Sequence, residues 1–158
     1  MTAEQRMFSA FREFCSYLDG RNLKYNTTQT DKGDNKISII GKGKDLSIDI
    51  RITFDASNEV ISLLSPLPFN FKEKIIEGAV VCSVVTNRLR EGSFDYDLED
   101  GSVYFRLTNS VMGITVSREL CTHIFTLAVN TIDTYNDKML AVAKGMMSPQ
   151  EFIEKIKV

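Results

Sequence analysis

Residues 46–54 read Leu46-Ser47-Ile48-Asp49-Ile50-Arg51-Ile52-Thr53-Phe54. Five apolar side chains alternate with four polar ones, the period-two pattern of a strand with one dry face and one wet face. A parallel strand covered on both faces would be apolar throughout. This stretch therefore predicts an antiparallel sheet with helices packed on one side, an α+β layer architecture. Working outward, Asp55-Ala-Ser-Asn58 predicts a turn into a second strand over Val60–Leu64. Pro66 and Pro68 are expected to end that strand, because neither can donate to a ladder. Upstream, Gly41-Lys-Gly-Lys-Asp45 predicts a loop, Ile37–Ile40 a strand, Asp31–Asn35 a turn, and Asn22–Gln29 a modest first strand.

Helices flank this block. Thr2 with Gln5 makes a capping box. Met7, Phe11, Phe14 and Leu18 then form one apolar stripe, with Gly20 as the expected stop. Asn70 with Glu73 predicts a helix over residues 71–91, apolar nearly all round through Ile75, Ile76, Val80, Val81, Cys82, Val84, Val85 and Leu89. Such a helix must bury more than one face. One is expected against the sheet and another against a second subunit. Gly92 opens a hairpin, with Phe94, Tyr96 and Leu98 on one strand and Val103, Phe105 and Leu107 on the other. Asp100-Gly101 is the expected tight turn. Ser117 predicts the cap of a long helix reaching about Lys144, and Ser148-Pro149-Gln150-Glu151 the start of a short last one.

The chain has 158 residues, 43% apolar and 25% charged, and reads as one domain over 1–158. Each half is close to electrically balanced, with 19 basic against 21 acidic residues overall. Nucleic-acid binding usually needs a clustered positive field, so no nucleic-acid partner is expected. No run approaches the roughly 18 apolar residues of a membrane span, and no membrane partner is expected. The first twenty residues are charged and amphipathic, unlike a secretion signal. Cys15, Cys82 and Cys121 are odd in number and scattered among apolar residues, as in a cytoplasmic protein with reduced, buried thiols.

Catalytic chemistry finds little purchase. The single histidine, His123, is two positions from Cys121, so the two leave a helix on different sides. One His and three scattered Cys do not make a metal-site spacing, and neither a metal nor a cofactor is expected. Counting a calcium loop from Asp95 puts Asp100 where glycine is needed and Arg106 where glutamate is needed. Gly41-Lys-Gly-Lys44 has one residue where a phosphate loop needs four, and a strand follows it instead of a helix. One polar constellation draws on several strands: Asp49, Arg51, Asp97 and Arg106, with Tyr104, on the wet sheet face. A solvated face with cross-strand charge pairs accounts for it better than a ligand site does.

Between Val84 and Gly145, the segments Asn87-Arg-Leu, Gly92-Ser-Phe-Asp-Tyr-Asp, Asp100-Gly-Ser-Val-Tyr-Phe-Arg106 and Ile132-Asp-Thr-Tyr135 resemble the YbjN family. Its members are described as bacterial sensory transduction regulators. The resemblance implies the fold of type III secretion chaperones, small α+β proteins that commonly dimerise and bind other proteins. It carries no catalytic residue across. It implies a non-enzymatic protein-binding module acting as a homodimer, with Val81, Val84, Val85 and Arg88 of the central helix at the dimer interface. The alternative is a small-ligand sensor or enzyme using the polar sheet face.

Overall fold

In the computed structural model, which describes residues 1–157, the order is α1 (Ala3–Gly20), β1 (Asn26–Gln29), β2 (Asn35–Lys42), β3 (Ser47–Asp55), β4 (Val60–Asn70), α2 (Ile75–Arg88), β5 (Ser93–Tyr96), β6 (Ser102–Ser110), α3 (Arg118–Ala143) and α4 (Pro149–Ile156). Val158, the last residue of the expected 1–158 domain, lies outside the described residues. The strands form one antiparallel sheet in the order β1-β2-β3-β4-β6-β5. This is the α+β architecture that the alternation of residues 46–54 demands. On β3, Ile48, Ile50, Ile52 and Phe54 are buried while Ser47, Asp49, Arg51 and Thr53 are not. The same alternation runs through β2 and β6, so the buried side chains lie on one face.

The helices cover that face. Phe11 and Phe14 of α1 meet the Phe54 ring edge-on, with ring centres 5.6 and 6.0 Å apart. Tyr135 of α3 meets Phe94 of β5 in the same way. Met139, Val142 and Phe152 complete a single apolar core with α4. No helix among the described residues is long and apolar enough to cross a membrane.

Local signals placed most helix ends. Thr2 and Gln5 bond reciprocally, as do Ser148 and Glu151, and Ser117 Oγ accepts from the Leu120 amide. Helix α1 ends at Gly20 as expected, but Gly20 is not the left-handed residue that closes it. Asn22 takes that position, at φ +55, with its amide donating to the Asp19 carbonyl and the Leu23 amide to the Leu18 carbonyl. That is a Schellman ending with asparagine in the left-handed position.

Three expectations fail for tertiary reasons. First, β4 runs through Pro66 and Pro68 to Asn70. Pairing with β3 ends at Arg51–Leu64, so beyond Leu64 one side of β4 is an edge, where a strand tolerates proline. A register shift between Pro66 and Asn70 absorbs the rest. Second, Asn70 does not cap a helix. Its Oδ1 accepts from the Lys72 amide, and α2 starts at Ile75 because Phe71 is drawn fully into the core. Third, the β5–β6 turn spans Asp97–Gly101, and Gly101 alone has positive φ.

Glu59 ties three segments together. It sits in the β3–β4 turn at φ +50, takes a two-pronged ion pair from Arg6 of α1 (2.7 and 2.9 Å), and accepts from the Gly113 amide at 2.9 Å. The Arg6 hydrogen bond is the main reason that the Glu59 carboxyl titrates below its ordinary value of 4.5, with the Gly113 amide second. A folded-state pKa below the unfolded one stabilises the fold fully above the unfolded value, and the gain is lost as pH falls through the folded value. Arg6→Met should therefore lower the urea midpoint at pH 7, and the gap from the parent should close as pH falls below the Glu59 range. A gap equally wide at both ends would show that the pair contributes nothing to stability.

Candidate functional site

Helix α2 carries two exposed large apolar side chains, Ile76 and Val80, and its seat explains which face is left over. β5 is the outermost strand on its side of the sheet, and α2 lies along it. The Thr86 hydroxyl accepts from the otherwise unpaired Phe94 amide at 2.9 Å, and Tyr96 Oη donates to the Ile75 carbonyl at 2.8 Å. Gly78 makes this approach possible, because a Cβ there would collide with Tyr96 Oη and the Phe71 ring. The inward face is therefore Gly78, Val81, Cys82 and Val85, all buried. The outward face carries Ile76, Val80 and Ser83 at spacings of four and three. Ile76 is 70% exposed and Val80 37%. Beside them an apolar hollow of about 290 Å³ runs between helix and hairpin, bounded by Ala79, Ser83, Tyr96 and Leu98. Leu98, on the hairpin loop, is itself 63% exposed.

This corrects the expected interface. Val81 and Val85 are completely buried in the protein's own core and have nothing to offer a second copy. Val84 is half-buried against that core, and Arg88 is exposed. The sequence shows an apolar helix but not which way it is rotated. Ile76 and Val80, missed as candidates, are set facing outward by the glycine at 78, and that glycine was the available signal.

The polar sheet face is only partly the constellation expected. Arg51 bonds Asp49 at 2.8 Å within β3, while Arg106 pairs with Asp95, which also accepts from the Ser93 hydroxyl. Arg51 and Arg106 do fall in one transverse row, Ser38-Arg51-Leu64-Arg106-Ser93. They are separated by Leu64 and by two strand spacings of about 10 Å in all. Asp97 does not join them. It is exposed in the hairpin turn, where its Oδ1 accepts from the Glu99 amide. Alternation placed Asp95 and Asp97 on the same face, and only the register of β5 against β6 chose Asp95 as the partner of Arg106. A hollow of about 260 Å³ at the end of β4, around Pro66, Phe69 and Tyr104, touches none of the four residues.

The potential nucleophiles are held quiet. Burial pushes the Cys82 and Cys121 thiols up to about 12, so both stay protonated at neutral pH. Cys15 is half-buried and also raised, chiefly by burial. His123 stands exposed with Nε2 2.9 Å from Glu91 Oε2, while Cys121 turns inward. Among the described residues, no three His, Cys, Asp or Glu side chains converge on a possible metal position. Compared with known protein families the chain matches none, and no curated protein matches it.

Proposed function

We propose that the chain is a non-enzymatic protein-binding module of the YbjN and secretion-chaperone kind, working as a homodimer through the outer face of α2. The observation that carries this reading is the exposed row of Ile76 and Val80 on the outer face of α2, beside an apolar hollow that Leu98 helps to line. Apolar surface removed from water is worth about 25 cal/mol per Å², and adjacent exposed side chains desolvate together against one partner. The helix is anchored at both ends by Tyr96 and Thr86, so the surface is preformed and costs little to order on contact. High-pKa thiols and a solvent-facing histidine support binding over catalysis.

Sedimentation at rising concentration tests the reading. The parent should pass from monomer to dimer, and Ile76→Asp with Val80→Asp should stay monomeric with an unchanged circular dichroism spectrum, since neither side chain belongs to the core. A parent that remains monomeric at every concentration, or a double variant that dimerises equally well, would overturn the proposal.

A further inference from the structure

The helical layer leaves one corner of the inner sheet face thinly covered, at the opposite side of the sheet from α2. Along β2 that face carries Ile37, Ile39 and then Gly41, where the alternation calls for a third branched side chain. Gly41 pairs with Ile48 of β3, and a Cβ on it would meet nothing within 4 Å. The space left open is a cavity of about 210 Å³ between the end of α1, the β2–β3 hairpin and α3. Leu23, Ile39, Ile48, Ile50, Phe125 and Val129 line it. Arg21 and Lys42, both exposed, are its charged lining residues; Lys42 follows Gly41 on β2 and pairs with the wet-face Ser47, so Arg21 is the cation on the cavity side. Neither forms an ion pair among the described residues; Arg21 instead donates to Tyr17 Oη at 3.1 Å and lies over that ring. The carboxylate of Asp133 on α3 is engaged by the Lys44 amide at 3.0 Å and does not line the cavity.

We propose that this cavity binds a small anion with an apolar tail, for which a medium-chain carboxylate is the simplest representative. The aliphatic walls accept a hydrocarbon body and reject a polar one. Arg21, which has no carboxylate partner among the described residues, supplies charge-assisted hydrogen bonds for the head group. The volume is below the roughly 300–1,000 Å³ of sites for drug-sized ligands, which selects a small occupant. The site shares no residue with the outer face of α2, so it stands or falls separately from the proposed dimer.

Octanoate titrated into the full chain, followed by methyl-resolved NMR, tests this. Saturable shifts are expected on Leu23, Ile39, Ile48, Ile50 and Val129, with octanol and octylamine binding about tenfold more weakly for want of the anionic head. Gly41→Val completes the strand alternation without a clash, so it should fold and lose binding. Arg21→Gln should reduce octanoate affinity to that of octanol, and it decides the matter alone if Gly41→Val does not fold. Absence of saturable shifts at millimolar octanoate, equal affinity for all three probes, or undiminished binding by Arg21→Gln would overturn the proposal.

Discussion

Gly101→Ala should lower the thermal midpoint by about 10 °C. Gly101 closes the β5–β6 hairpin at φ +74, a conformation that costs an L-residue about 1–2 kcal/mol. A Cβ at that position would also stand 2.6 Å from the Phe71 carbonyl carbon and 2.8 Å from the Lys72 nitrogen. Those are backbone atoms, held in place because the Phe71 amide donates to the Gly101 carbonyl at 2.8 Å. Neither chain can yield without breaking that bond, and overpacking of this sort costs about 1–3 kcal/mol more. At about 2–4 °C per kcal/mol for a chain of this size, the sum gives the stated fall. Gly33→Ala separates the two contributions. Gly33 has φ +87 but nothing within 4 Å of a Cβ, so that variant should lose only the conformational share. Equal losses at 33 and 101, by thermal melting of both variants, would show that the contact with the Phe71 segment does not matter.

At Gly78 even the sign of the effect is in question. Helix propensity alone says that Gly→Ala inside α2 stabilises by about 1 kcal/mol. The structure says the reverse, because a Cβ there would lie 2.6 Å from Phe71 Cγ and closer still to Tyr96 Oη. A loss of about 1–3 kcal/mol is expected in urea unfolding. Tyr96→Phe in the same background should recover only part of it, since the fully buried Phe71 ring cannot move aside. The same push would lift α2 off β5 and lengthen the Thr86–Phe94 bond, so faster amide exchange at Phe94 is the companion observation. A stabilised Gly78→Ala variant would mean that the helix does not sit as close as described, and the outward orientation of Ile76 and Val80 would go with it.

How much of this was legible beforehand differs residue by residue. Ser117 and Ser148 announced their helices because a cap is a bond between neighbours three residues apart and needs no distant segment. Asn70 carried the same signal and misled, since whether its side chain caps a helix or closes a short turn depends on Phe71 entering the core. Pro66 and Pro68 misled likewise, because a proline ends a strand only if the strand beside it is still there to accept a bond. Of the four residues expected on the polar face, Asp49, Arg51 and Arg106 lie on it, and Asp97 was lost to a turn whose length the Asp-Gly pair did not specify.

Read alone, the amino-acid order determined the layering: strands with one wet flank, helices on the other, and most of the caps between them. Those outcomes follow from alternation, from helical periodicity and from hydrogen bonds a few residues long, all of which act within a segment. The rotation of α2 about its axis, the partner of Arg106 and the unfilled corner beside Gly41 were decided only when distant segments met. An apolar helix gains similar burial on several of its faces, and what breaks the tie is steric: a missing Cβ at 78 that admits Tyr96 and Phe71, segments that come together only in the finished fold.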